Sequence, residues 1–154
     1  MQTKWGSHGD YQVISYSPWS VQEMYDLTIT AFNMAEKYRV PVFLSSEQAI
    51  GHLWEKTTIK EKVEITNRTK RPGEGPFGTD DEAGIPPMPC FGEGENLMVT
   101  GSTHDAFGFR KTDDPKVHAD LVSRINLKIL NHRDDIVQTE SSYVNDAEIL
   151  IISY

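Results

Sequence analysis

Several short stretches pair residues that can do chemistry. Ser7-His8-Gly9-Asp10 sets an imidazole near a carboxylate, and such a pair can orient a histidine for proton transfer. It precedes its strand, however, and so belongs at the sheet edge remote from ligands; glycine and aspartate there have ordinary turn roles. Thr103-His104-Asp105 offers the same pairing inside a glycine-rich stretch. It either packs over a neighbouring subunit or forms an Asx-type turn. His52 and Glu55 have the three-residue spacing of metal ligands on a helix, but no second pair accompanies them, so they read as a surface pair. Cys90, between Pro89 and Phe91, has no basic neighbour in sequence to favour a thiolate and reads as a small buried hydrophobe. As the single cysteine it excludes an internal disulfide and any multi-cysteine metal cage made by this chain alone.

The elements that would position such groups begin with a strand–helix–strand unit over residues 12–46. Gln12 to Tyr16 is β-rich, and Ser17-Pro18-Trp19 breaks it. Ser20 stands three residues before Glu23, the capping-box spacing, and starts a helix running to about Arg39. Met24, Leu27, Ala31, Ala35 and Tyr38 share one face, while Gln22, Asp26, Thr30, Asn33 and Lys37 fall on the other. Val40 to Leu44 is a near-continuous apolar run, as in strands buried on both faces of a parallel sheet. The fold class is therefore α/β, with a right-handed crossover. Ligands of open parallel sheets meet the carboxyl ends of the strands. Those ends are Ser17-Pro18-Trp19 and Ser45-Ser46-Glu47. The plainer role of Ser17, Ser20 and Ser46 is to shape a turn and cap helices.

Beyond the unit, Glu47 to Thr57 reads as a short helix with Ile50, Leu53 and Trp54 on one side. Ile59 to Ile65 alternates apolar and charged residues, which favours a half-buried strand or an extended arm. Eight of the 11 glycines and five of the eight prolines then fall between Arg71 and Phe109, and Pro72 to Pro76 and Ile85 to Gly92 cannot form regular interior structure. Phe77, Met88, Phe91, Leu97, Met98, Val99 and Phe107 make the stretch too apolar for a solvated linker. It reads as an ordered arm across another surface, with a possible strand at Asn96 to Thr100. Asp114-Pro115 starts a second helix by N-cap and first-turn proline. Val117, Leu121, Ile125 and Ile129 form its apolar stripe, and His132 and Arg133 lie near its end. Glu148 to Tyr154 reads as a fully buried strand.

At 154 residues the chain has a one-domain length, and its net charge of −8 argues against a nucleic-acid partner. Arg68, Lys70 and Arg71 form the only tight basic cluster. No apolar window approaches a membrane span, and Met1 to Gly6 lacks a signal-peptide core. A reducing, cytoplasmic setting with no membrane partner is expected. One strand–helix–strand unit cannot cover its own sheet, and a buried last strand needs neighbours. The expectation is a piece of a larger polypeptide.

In this order, the motifs resemble the ferredoxin-dependent 2-oxoacid oxidoreductases, alpha-type subunit, most like the 2-oxoglutarate branch. They are Trp5-Gly-Ser-His-Gly-Asp10, Ser17-Pro-Trp-Ser-Val-Gln-Glu23, Ala31-Phe-Asn-Met-Ala-Glu-Lys-Tyr38 and Val40-Pro-Val-Phe-Leu-Ser45. Downstream they are Gly84-Ile-Pro-Pro-Met88, Phe91-Gly-Glu-Gly94, Val99-Thr-Gly-Ser-Thr-His-Asp105, Thr112-Asp-Asp-Pro-Lys-Val-His118 and Asp146-Ala-Glu-Ile-Leu-Ile-Ile152.

The resemblance implies a division: residues 1–66 as the end of a pyrimidine-binding thiamine diphosphate domain, 67–111 as a connecting arm, and 112–154 as a linker helix with the first strand of a transketolase C-terminal-like domain. It implies oxidative decarboxylation of a 2-oxoacid to an acyl-CoA, with electrons passed to ferredoxin. Thiamine diphosphate and Mg²⁺ would be held mainly by a partner, the beta subunit, which also carries a 4Fe–4S cluster. Coenzyme A would be a substrate, and the assembly a hetero-oligomer. The family's substrate-binding threonine and arginine, and its activating glutamate, belong upstream of Met1. No residue here is therefore assigned as catalytic or metal-binding, and the fragment alone is expected to be inactive. Ser17, Trp19, Ser46, Glu47, His104 and Asp105 are the expected cofactor- or interface-proximal residues. Two other readings remain open: a non-catalytic interaction module derived from a pyrimidine domain, and another transketolase-like thiamine enzyme.

Overall fold

The structure, a computed structural model, describes residues 11–70, 82–94 and 99–153. Strand β1 (Ile14–Tyr16) leads into helix α1 (Val21–Tyr38), which returns the chain to strand β2 (Val42–Leu44). The strands are parallel neighbours, with Ile14 opposite Val42, Ser15 opposite Phe43 and Tyr16 opposite Leu44. The α/β unit expected from the sequence is thus present. Helix α2 (Gln48–His52) follows, and the later part of the chain holds α3 (Pro115–Leu130) and α4 (Arg133–Ile136).

Local chemistry accounts for the helix boundaries. Ser20 caps α1, its hydroxyl accepting the Glu23 N–H at 3.1 Å. Glu23 reaches back one residue further than a capping box requires, accepting the Trp19 N–H at 2.9 Å. Arg39 ends the helix in the left-handed region, at φ 48°. Asp114 caps α3 through the Lys116 N–H at 2.9 Å, with Pro115 in the first turn. Only part of each apolar stripe is buried: Leu27 and Tyr38 of α1 and Ile129 of α3 join Ile14, Tyr16 and Ile136 in one cluster. Ala31, Met34, Val42, Leu44 and Ile85 pack against it.

Three expectations need correction. The helix after β2 spans only Gln48–His52, and it has no buried residue. Ser46 does not cap it: Glu47 is the N-cap residue without a side-chain bond, and the Ser46 hydroxyl donates to Glu47 C=O at 3.1 Å. Of the two readings of residues 59–65 the extended arm holds: they form no strand and run exposed beside α1. Residues 149–152 also form no strand, and their side chains are 63 % to 87 % exposed. A strand requires a hydrogen-bonded neighbour, and none runs beside this segment among the described residues.

Within the glycine- and proline-rich stretch, Ile85 to Met88 is tied down. The Arg39 guanidinium donates to Pro86 C=O at 3.0 Å and to the Met88 sulfur at 2.6 Å, while Met88 N–H donates to Thr69 C=O at 2.9 Å. Ser7 to Asp10, Phe77, and Asn96 to Met98 lie outside the described residues, and Val99 and Thr100 are irregular.

Candidate functional site

The carboxyl ends of β1 and β2 lie side by side. Ser45 N–H donates to Tyr16 C=O at 2.8 Å, continuing the ladder one step past β2. The hydroxyls of Ser15 and Ser45 are 3.3 Å apart. Pro18 is fully buried and fixes the turn, while Trp19 beside it is 66 % exposed. Ser17, Ser46 and Glu47 are exposed as well. An open cleft of about 480 Å³ runs along β1; Ser17, Glu23 and Arg133 line it together with apolar Leu27, Ile129 and Ile136. Of the six residues singled out in sequence, only Ser17 lines this cleft.

His104 and Asp105 lie elsewhere, in a tight turn. Asp105 Oδ1 accepts the N–H of Phe107 at 2.9 Å and of Phe109 at 3.0 Å, and His104 pairs antiparallel with Arg110. This is the Asx-type turn of the two sequence readings. Arg124 reaches the Asp105 C=O at 3.5 Å, holding the turn to α3.

Cys90 also differs from its sequence reading. It is half-buried, and folding brings it basic company from earlier in the chain. Lys70 pairs with Glu93, whose other oxygen accepts the Cys90 N–H at 2.9 Å. Glu93 holds the Lys70 amine above its usual range, and Cys90 adds to that.

Sequence reasoning missed two charged groupings. In the first, Tyr38 donates to Asp135 Oδ2 at 2.5 Å, Lys37 reaches the same oxygen at 2.9 Å, and Tyr16 donates to Ile136 C=O at 3.1 Å. The Tyr38 hydrogen bond, then Lys37, holds the Asp135 carboxyl below its usual range. Burial first, then Asp135, raises both phenols. The signal was two tyrosines among apolar residues, Tyr16 ending the first strand and Tyr38 on the helix stripe, each needing a partner for its hydroxyl. In the second, Lys128 is buried and donates to Arg39 C=O at 2.9 Å, at the partly negative end of α1. Burial, then Arg39 and Arg124, lowers its amine to about 8. Burial, then Arg68, lowers Arg39 to about 10.

These groups tie the helices together within the fold; among the described residues they do not assemble acid–base machinery at the strand ends. The hydroxyls of Ser17 and Ser45 and the indole of Trp19 suit an uncharged ring edge. One cation, Arg133, lines the cleft with Ser17, and it shares the cleft with the Glu23 carboxylate, so among the described residues the set lacks the clustered positive charge that a diphosphate needs. Among the described residues no three His, Cys, Asp or Glu side chains gather as a metal site.

Comparison with known proteins resolves what this scaffold belongs to. The family model described as pyruvate flavodoxin/ferredoxin oxidoreductase, thiamine diphosphate-binding, matches residues 1–124. The chain belongs to this oxidoreductase family. It is 50 % identical over 157 aligned residues to the 2-oxoglutarate synthase subunit KorA of Methanothermobacter marburgensis, and 48 % identical over 157 to that of Methanocaldococcus jannaschii. Both alignments cover 100 % of this chain and 42 % of the relative, so the chain spans less than half the length of these family members. In structure it is similar to a 2-oxoglutarate:ferredoxin oxidoreductase from Magnetococcus marinus, solved with 2-oxoglutarate, coenzyme A and succinyl-CoA bound. The TM-score is 0.72 at 25 % identity, covering 90 % of this chain and 25 % of that one. The expected resemblance to the 2-oxoacid oxidoreductases is thereby borne out. Among the described residues no helix is long and apolar enough to cross a membrane.

Proposed function

We propose that this chain is part of the alpha-type subunit of a 2-oxoglutarate:ferredoxin oxidoreductase. The observation that carries this reading is the 50 % identity to a 2-oxoglutarate synthase subunit, sustained over the whole chain. The assembled enzyme decarboxylates the oxoacid, passes electrons to ferredoxin and transfers the acyl group to coenzyme A. Thiamine diphosphate, when bound, supplies the delocalisation of charge that decarboxylation needs.

The role of this chain is to shape the surface against which that chemistry occurs. Residues 1–66 form the end of the pyrimidine-binding domain, 67–111 the connecting arm, and 112–154 the linker helix and the stretch that begins the transketolase C-terminal-like domain. Ser17, Trp19, Ser46 and Glu47 at the strand ends face the cofactor or the partner, and His104 and Asp105 lie near an interface. An exposed indole at a strand end is a ready apolar cover for a ring and an aid to water exclusion. The diphosphate, Mg²⁺ and a 4Fe–4S cluster reside in the beta subunit, in keeping with the lone cysteine here. The complex is a cytoplasmic hetero-oligomer.

Co-expression with a cluster-bearing beta subunit tests the reading. The two are expected to co-purify with the visible absorbance of an iron–sulfur cluster and to reduce a viologen dye when given 2-oxoglutarate. Co-purification without dye reduction by any 2-oxoacid overturns the enzymatic assignment in favour of a bare interaction module.

A further inference from the structure

The polar face of α1 is not left to solvent. Residues 53–70 run beside it, and helix side chains grip the backbone of that segment. Glu55 Oε2 accepts the Val21 N–H at 3.1 Å, at the start of α1. Gln22 then holds Thr58 at two points: its Oε1 accepts Thr58 N–H at 2.6 Å, and its Nε2 donates to Thr58 C=O at 3.1 Å. The Tyr25 hydroxyl accepts Lys60 N–H at 3.2 Å. Asn33 repeats the two-point grip, donating to Glu64 C=O at 2.8 Å and accepting Thr66 N–H at 2.9 Å. Glu36 accepts Arg68 N–H at 3.2 Å and pairs with its guanidinium.

The gripped N–H groups belong to residues 58 and 60 before a bend at Glu61 and Lys62, and to 66 and 68 after it, so alternate N–H groups of two extended stretches face the helix. What is missing is apolar burial. No residue from 53 to 70 is buried, and Trp54 is 97 % exposed. The segment is held by polar contacts at the surface, where each contributes little and water can replace it. The core cluster of β1, α1, α3 and α4 includes none of its residues.

We propose that residues 53–70 form a detachable strap, which opens from α1 while the core stays closed, with Gln22 and Asn33 as its two latches. Local opening well below the free energy of global unfolding is the expected behaviour of such a segment. The strap leaves β2 through Ser45-Ser46-Glu47 and α2, and Glu55 pins its leading end at the start of α1, next to Trp19 and Ser20. Its release therefore loosens the chain that borders the strand-end surface. It also bares the polar rail of Gln22, Tyr25, Asn33 and Glu36.

Residue-resolved amide hydrogen exchange on the full chain tests this. The N–H groups of Thr58, Lys60, Thr66 and Arg68 should exchange roughly 100-fold or more faster than interior amides of α1, with rates insensitive to low denaturant. Gln22→Ala should speed Thr58 about tenfold, and Asn33→Ala should speed Thr66 similarly, leaving α1 and α3 interiors unchanged. Strap amides that match the α1 interior in both rate and denaturant dependence would overturn the proposal. So would a latch substitution that speeds core amides as much as strap amides. The denaturant series needs only the unaltered chain, so it decides the matter even if a variant does not fold.

Discussion

Tyr38 donates its phenolic hydrogen to Asp135 across 2.5 Å, and this bond ties the last turn of α1 to α4, far along the chain. The Tyr38 ring is buried, so its hydroxyl would otherwise stand without a partner in an apolar setting. The bond also explains why a run of polar residues after α3 turns back onto the first unit rather than leaving it.

Removing either end of that bond should cost stability. Asp135→Asn weakens the acceptor and drops the Lys37 ion pair, and Tyr38→Phe deletes the donor. Each should destabilise by about 1 kcal/mol, because the carboxylate is partly exposed and its charge screened. The double variant should fall short of the sum, since both changes break one contact. Urea denaturation of the four proteins gives the coupling.

Lys128 makes a prediction about alkaline pH. Its native amine titrates at about 8, below the ordinary lysine value shown by the unfolded chain, so between these values the unfolded state binds more protons. Stability should rise as pH goes from about 8 towards 10, opposite to an ordinary lysine ion pair. Lys128→Met removes the charge facing Arg39 and Arg124 and should flatten this rise. Thermal denaturation across that window, with and without the substitution, is the check.

Gly84 sits at φ +65°, and a Cβ there would meet Arg124 Cγ at 3.4 Å and Lys128 Cβ at 3.8 Å. The space is tight but not closed; the backbone angle is the greater obstacle. Gly84→Ala should cost roughly 1–2 kcal/mol, as expected for a left-handed residue that gains a side chain. Equilibrium denaturation measures it, and an unchanged midpoint would show that the turn relaxes.

Trp19 separates folding from function. Its ring is mostly exposed, so Trp19→Ala should change stability by no more than about 0.5 kcal/mol. In the assembled enzyme the same change should lower 2-oxoacid-dependent dye reduction at least about tenfold, if the indole covers a reacting ring. Full activity in the variant would remove Trp19 from the site.

The sequence revealed local chemistry well. Ser20 and Glu23, and Asp114 and Pro115, set their helix starts within a few residues, and the structure reproduces them; of the apolar stripes it buries Leu27, Tyr38 and Ile129 in the core. Long-range partners were not visible. Gln22 and Asn33 have a solvent-facing pattern, yet their amides match a peptide edge, and only the path of residues 53–70 supplies one. Lys70 reaches the surroundings of Cys90 from a different part of the chain. Ile149 to Ile152 has strand composition, but a ladder needs a neighbour, which composition cannot provide. At the strand ends, Ser17, Trp19, Ser46 and Glu47 follow from topology, whereas the cleft beside β1 depends on where α3 and α4 settle.

The most direct measurement is turnover of the purified 154-residue chain, supplied with 2-oxoglutarate, thiamine diphosphate, Mg²⁺, coenzyme A and a viologen acceptor, in the absence and presence of the cluster-bearing partner. The account predicts no dye reduction by the chain alone, since its strand ends gather neither acid–base groups nor a diphosphate site. Sustained, oxoacid-dependent reduction by the chain free of any partner would contradict it.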